Sequence, residues 1–212
     1  MSNSADATEL DLVVGSLHTT TPEEDREQYE EEREWLSDIQ DLLREEGVEA
    51  DLLSNPGTEV WEGGIDRFMD LYELRILAAY LERGKDVSGV LDQVDMDGEP
   101  DPVLADIWEG TEATRFPHLI NHQAEGGYYL PSDFPEPIWL EFDSDDADAA
   151  ENIEEHVVSF GSSVALQREL VDLDRMLQSA SIPTRSGPYR CLRVLRDAAD
   201  QSVSTGLPII IW

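Results

Sequence analysis

The chain closes on "GLPIIIW", Gly206 to Trp212. Its run of uniformly apolar residues is stable only as a strand flanked or covered by other elements, so a C-terminal strand set inside a sheet is expected. Immediately before it, Pro188 to about Ser204 has helical spacing at Leu192, Leu195 and Ala199, and Gly206 ends the helix. Another helix precedes that one. Ser162 or Ser163 caps it, Leu166, Leu170, Leu173 and Leu177 form its stripe, and it stops before Pro183.

The N-terminal half supplies the rest. "LDLVV", Leu10 to Val14, reads as a strand entering the core and stops at Gly15. Thr21, Pro22 and Glu24 make a capping-box start for a helix running to Gly47, with Tyr29, Leu36, Ile39 and Leu43 on one side. Glu23, Glu24, Glu27, Glu30, Glu31 and Glu34 crowd the other side, a solvated face first and a docking surface second. Val48, Ala50 and Leu52 alternate with acids as a short strand, and "SNPG" turns the chain at Ser54 to Gly57. From Ile65 to Arg83 apolar residues nearly encircle a helix, which should be the central buried one, closed by Gly84. Residues 84–102 read as a long loop with a helical turn near Val87 to Val94, and Pro137 to Phe142 as a strand followed by an acidic turn at Asp143 to Asp148. The expectation is a single α+β domain over residues 9–212, a small mixed sheet packed against about four helices, behind a disordered leader at residues 1–8.

Charge bounds the function. The chain has 48 acidic and 14 basic residues, a formal net charge of -34, with Lys85 the only lysine. Nucleic-acid and anionic-membrane binding both need the opposite sign, so neither is expected. The acidity reads first as adaptation to a salty interior, where screening relieves self-repulsion, and second as a surface for a basic partner. Cys191 is the single cysteine, which excludes an intramolecular disulfide and a Cys-based metal site. With no apolar run of membrane or signal length, a cytoplasmic location is expected.

Chemistry is concentrated in "PHLINHQAEGGYYLPSDFPEPIWLEF", Pro117 to Phe142. His118 and His122 are four apart, as in many zinc sites, with Glu125, Asp133, His18 or His156 as the third-ligand candidates. The plainer reading has both imidazoles holding an irregular loop by hydrogen bonds to backbone carbonyls, so no metal or other cofactor is assigned. Tyr128, Tyr129, Phe134 and Trp139 are the candidate binding residues, although alternation sends one tyrosine inward. "DQVDMDGEPD" at Asp92 to Asp101 fails as a calcium loop, because Gln93 and Leu104 occupy ligand positions. "FGSS" at Phe160 to Ser163 lacks the glycine and lysine of a phosphate loop and reads as a plain helix cap.

"LYELRILAAYL" (Leu71 to Leu81), "FPHLINHQAEGGYYLPSDFPEPI" (Phe116 to Ile138), "GSSVALQREL" (Gly161 to Leu170) and the closing "GLPIIIW" together resemble a widespread, uncharacterised group of small soluble prokaryotic proteins. That group commonly carries S-D-C-D-G after the second histidine, where this chain has "QAEGG", Gln123 to Gly127. The resemblance implies one α+β domain and a shaped loop at Gly127, the tyrosines and Pro131, and supplies no activity. The function expected from sequence is a non-catalytic binding protein of unknown protein partner, immunity-like, contacting it through Tyr128, Tyr129 and the acidic helix face. The alternative is a hydrolase built on His118, His122 and Asp133.

Overall fold

The computed structural model describes residues 9–90, 100–123, 125–141 and 157–212. Their six strands form one mixed sheet in the order β2-β1-β6-β3-β5-β4. The strands are β1 (Leu10–Gly15), β2 (Glu59–Ile65), β3 (Tyr128–Leu130), β4 (Ile138–Glu141), β5 (Val157–Ser162) and β6 (Ile209–Ile211). The helices are α1 (Arg26–Glu45), α2 (Phe68–Glu82), α3 (Pro102–Trp108), α4 (Pro117–Ile120), α5 (Ser163–Ser179) and α6 (Gly187–Thr205). The molecule is a single α+β domain with its C-terminal strand inside the sheet.

β6 joins the two halves of that sheet, pairing antiparallel with β1 on one side and β3 on the other. Side-chain alternation divides its three isoleucines between two cores. Ile209 and Ile211 enter the larger core with Leu10, Leu12, Val14 and Tyr129, beneath α2, α3, α4, α5 and α6. Ile210 enters the smaller core on the opposite face, with Leu130, Leu140 and Phe160 of the sheet and Leu36, Ile39 and Leu43 of α1. Among the described residues the sheet therefore carries five helices on one face and α1 alone on the other.

Several local expectations change. Thr21 and Glu24 do bond each other, but only within a turn; the N-cap of α1 is Asp25, whose carboxylate accepts from the amides of Glu27 and Gln28. Residues 48–52 form no strand: Val48 and Leu52 are buried beside α1 without a partner strand, and β1 pairs instead with residues 59–65. α3, for which no element was expected, begins at the last residue of the expected loop, with Asp101 capping it through the amides of Val103 and Leu104. The leader, the calcium-like Asp95, Asp97 and Gly98, the acidic turn at residues 143–148 and His156 lie outside the described residues. Among the described residues no helix is long and apolar enough to cross a membrane.

Removing Leu207 to Trp212 deletes the strand to which both β1 and β3 bond and opens both cores, so the truncated chain should show no cooperative thermal melt by near-UV circular dichroism. A truncated chain with a sharp melt would contradict this placement of β6.

Candidate functional site

The histidine loop is built by long-range polar clamps. α4 is a four-residue helix whose first amides, those of His118 and Leu119, donate to the two carboxylate oxygens of Glu169 from α5 (3.1 and 2.9 Å). At its other end the Arg75 guanidinium from α2 donates to the carbonyls of Leu119 and His122, both at 2.8 Å. A carboxylate thus meets free amides and a cation meets free carbonyls, the pairing that helix ends require. Burial lifts the Glu169 carboxyl to about 8, even though the two amides favour its charged form.

Both histidines are buried inside this frame. His118 Nδ1 accepts from the Ser162 amide (3.0 Å), so its proton sits on Nε2, which donates to the Phe134 carbonyl (3.0 Å). Burial lowers its pKa to about 4, opposed by its carbonyl partners. The His122 ring nitrogens face the carbonyls of Gln123 (2.7 Å) and Tyr128 (3.0 Å), and burial drives its pKa to about 3. The ring stacks on Tyr129 at 4.0 Å between centroids, and a Cβ at Gly127 or Gly161 would collide with it. Neither imidazole keeps a lone pair facing solvent.

The other candidates fall elsewhere. Tyr129 is buried in the larger core, its hydroxyl donating to the His118 carbonyl (2.8 Å). Tyr128 is half-buried against Phe160, Phe134 is buried, and only Trp139 is well exposed. Asp133 is an exposed partner of Arg168 (2.9 and 2.5 Å), and Glu125 is exposed on the turn before β3. Among the described residues no group of His, Cys, Asp and Glu is arranged to hold a metal. Ser162 caps α5, its hydroxyl accepting from the Ala165 amide.

The exposed site is the outer face of α1. Its buried stripe, Leu36, Ile39 and Leu43, lies opposite seven exposed carboxylates: Glu27, Glu30, Glu31, Glu34, Asp38, Asp41 and Glu45. At about 100° per residue these seven fall within roughly 100° of arc, because six of them alternate spacings of four and three residues. At about 1.5 Å per residue that line places one carboxylate every ~5 Å along a helix ~30 Å long. Glu32 stands off the line and is half-buried, bonded to Thr19, Thr20 and Gln28, and so pins the β1–α1 connection. Beside the line lies a groove of about 520 Å³, lined by Glu30, Arg33, Glu34, Ser37 and Leu53 among others. Sequence reading found the acidic face as far as Glu34. Its continuation through Asp38, Asp41 and Glu45 was visible in the same three-and-four spacing, whereas Arg75 and Glu169 gave no local signal.

A family model described as "Putative DNA-mimic protein" matches residues 8–211, and the chain belongs to that family. No curated protein and no solved structure matches the chain. Membership corrects two expectations. The immunity-like masking of an unspecified partner and the alternative hydrolase are both replaced, since the family is described by imitation of DNA; the histidines meant for the hydrolase are buried with their ring nitrogens turned to backbone groups. The exclusion of nucleic acid from the partner question is corrected too. Negative charge does argue against binding DNA, but imitation of DNA requires that same sign.

His118 titrates at about 6.5 when unfolded and about 4 when folded, so the unfolded chain binds the extra proton between those values and stability falls as pH drops from 6.5 to 4. His118→Gln should be less stable than the parent by about 1 kcal/mol or somewhat more at pH 8, with the gap closing and then reversing as pH falls through that window, since the parent alone loses roughly 3 kcal/mol there. Denaturant melts from pH 4 to 8 check it; a constant gap would contradict a neutral, buried His118.

Proposed function

We propose that the chain acts as a DNA mimic, offering the carboxylate line of α1 to the basic surface with which a DNA-binding protein grips phosphates. The single observation that carries this reading is the ordering of seven carboxylates along one helix face, within a family described as mimicking DNA. Each strand of DNA places a charge every ~3.4 Å of axis. A carboxylate every ~5 Å along α1 approaches that density, and Glu30 thickens it on one side. A lysine- or arginine-lined groove built for a phosphate strand would therefore meet charges of the right sign at comparable spacing, and its own counterions would be released on binding.

Energetics support a role beyond solubility. Like charges at i,i+3 and i,i+4 destabilise a helix by roughly 0.2–0.5 kcal/mol per pair, so the line opposes α1 by on the order of 2 kcal/mol at low salt. Adaptation to a salty interior accounts for abundant surface acid but does not call for its alignment along one face. A cytoplasmic location fits, because the partners would work where DNA is.

The triple variant Glu31→Gln, Glu34→Gln, Asp38→Asn interrupts the line. At low salt it should melt roughly 2–6 °C higher than the parent, the shift expected for relief of about 1–2 kcal/mol. Immobilised parent should retain proteins from a DNA-cellulose eluate and release them when duplex DNA is added; the variant should retain far less. If the variant retains as much as the parent, or duplex DNA releases nothing, the reading fails.

A further inference from the structure

α1 carries one large apolar side chain that the core beneath it does not take. Trp35 is 41% exposed, sits at the middle of the helix and belongs to neither core. It follows Glu31 by four residues and precedes Asp38 by three, so a member of the carboxylate line neighbours it in each direction along the helix surface. The two flanks of the line differ in charge. Arg26, Arg33 and Arg44, spaced by seven and eleven residues, share the flank away from Trp35. There Arg33 lies 3.7 Å from Glu30, and Arg44 pairs with Asp41. Beside Trp35, Glu31 and Asp38 have no ion-pair partner among the described residues. A basic surface is repelled by the arginine flank and drawn to the other, so it closes over Trp35. Single exposed apolar residues are ordinary on a protein surface, but this one stands at the centre of the face on offer, where the residues that carry binding energy concentrate.

We infer that Trp35 takes the place of an unstacked base within the mimic, and that the partner is a DNA-binding protein whose phosphate-gripping residues border a pocket for such a base. The inference rests on the proposed mimicry and narrows its partner. A nucleotide swung out of a duplex offers a flat ring with a phosphate before it and another after it. An indole with Glu31 before it and Asp38 after it repeats that order of chemistry. Indole, like a purine, is two fused flat rings carrying an N–H donor, so the aromatic and apolar walls that hold an extruded base also suit Trp35. Among the described residues Trp35 makes no hydrogen bond and no ring contact, which leaves its exposed ring free to turn into such a pocket. A protein that reads stacked duplex only through phosphates and groove edges has no pocket of this kind.

Two purified base-extruding enzymes, a DNA glycosylase and a DNA methyltransferase, are the probes, beside a helix-turn-helix repressor that leaves bases stacked. Binding of each to the full chain is measured at low and at high salt, with duplex DNA as competitor. At least one of the enzymes should bind the parent more tightly than the repressor does and be released by duplex. Trp35→Ala should weaken that complex tenfold or more, by the same factor at both salt concentrations, because the lost contact is apolar; its thermal melt should stay cooperative. The double variant Glu31→Gln, Asp38→Asn should weaken the complex chiefly at low salt. Binding by neither enzyme would overturn the inference, as would binding undiminished in Trp35→Ala. If the repressor alone binds and duplex releases it, the mimicry stands and the base pocket falls. If duplex releases no bound protein, the mimicry fails and takes this inference with it.

Discussion

The burial of Leu36, Ile39 and Leu43 against the sheet is the interaction on which the acidic face depends. Each such side chain contributes roughly 1.5–3 kcal/mol on leaving water, so the stripe outweighs the ~2 kcal/mol of repulsion among carboxylates on the far side. The isolated helix would be poorly stable with that charge pattern. Docked beside Val48, Leu52, Leu130 and Phe160, it is held as a helix with its charges in a fixed order. Rigidity matters to a mimic, because phosphates on duplex DNA are also fixed, and a partner's basic groove is complementary to fixed charges.

The second face of the sheet supplies that rigidity. β6 pairs with β1 and β3 and divides its isoleucines between the two cores, so the platform under α1 and the helix layer behind it are parts of one structure. The stretch from Pro117 to Gln123 packs on the helix side of the sheet through Leu119 and Ile120. Beyond α4 itself, side chains meet its backbone: Glu169 takes the amides of His118 and Leu119, Arg75 the carbonyls of Leu119 and His122, and the His122 ring faces the carbonyls of Gln123 and Tyr128. The concentration of histidine, tyrosine, proline and glycine that suggested catalysis is the composition of a buried irregular segment. Glycine at 127 and 161 lets the His122 ring approach the backbone, and the clamps come from Arg75 of α2 and Glu169 of α5.

What the sequence made legible follows from how local each signal is. α1, α2, α5 and α6 declared themselves by apolar period, and β6 by its unbroken isoleucines, because those patterns are complete within a dozen residues. β2 hid behind Gly63, Gly64 and two exposed glutamates, since an edge strand needs only a partial apolar face. β5 was masked because its last residue, Ser162, is also the cap of the helix that follows. Alternation at Val48 to Leu52 correctly marked inward residues but not pairing, which depends on a neighbour that the local pattern does not specify. In the candidate site, the acidic face of α1 was legible and its partner class was not, because net charge alone serves salt tolerance and mimicry equally; the mimicry reading came from the family's description. The burial of Arg75 and Glu169 was invisible, their bonds spanning more than forty residues of chain.

The most direct test of mimicry is displacement. A fluorescent duplex of about a dozen base pairs is bound to a basic, sequence-independent DNA-binding protein retained by this chain, and its anisotropy is followed as the chain is added at several salt concentrations. The account predicts that anisotropy falls to the value of free duplex, with an apparent affinity that weakens steeply as salt rises. Anisotropy that stays high or increases, signalling that duplex and chain occupy the partner together, would contradict it.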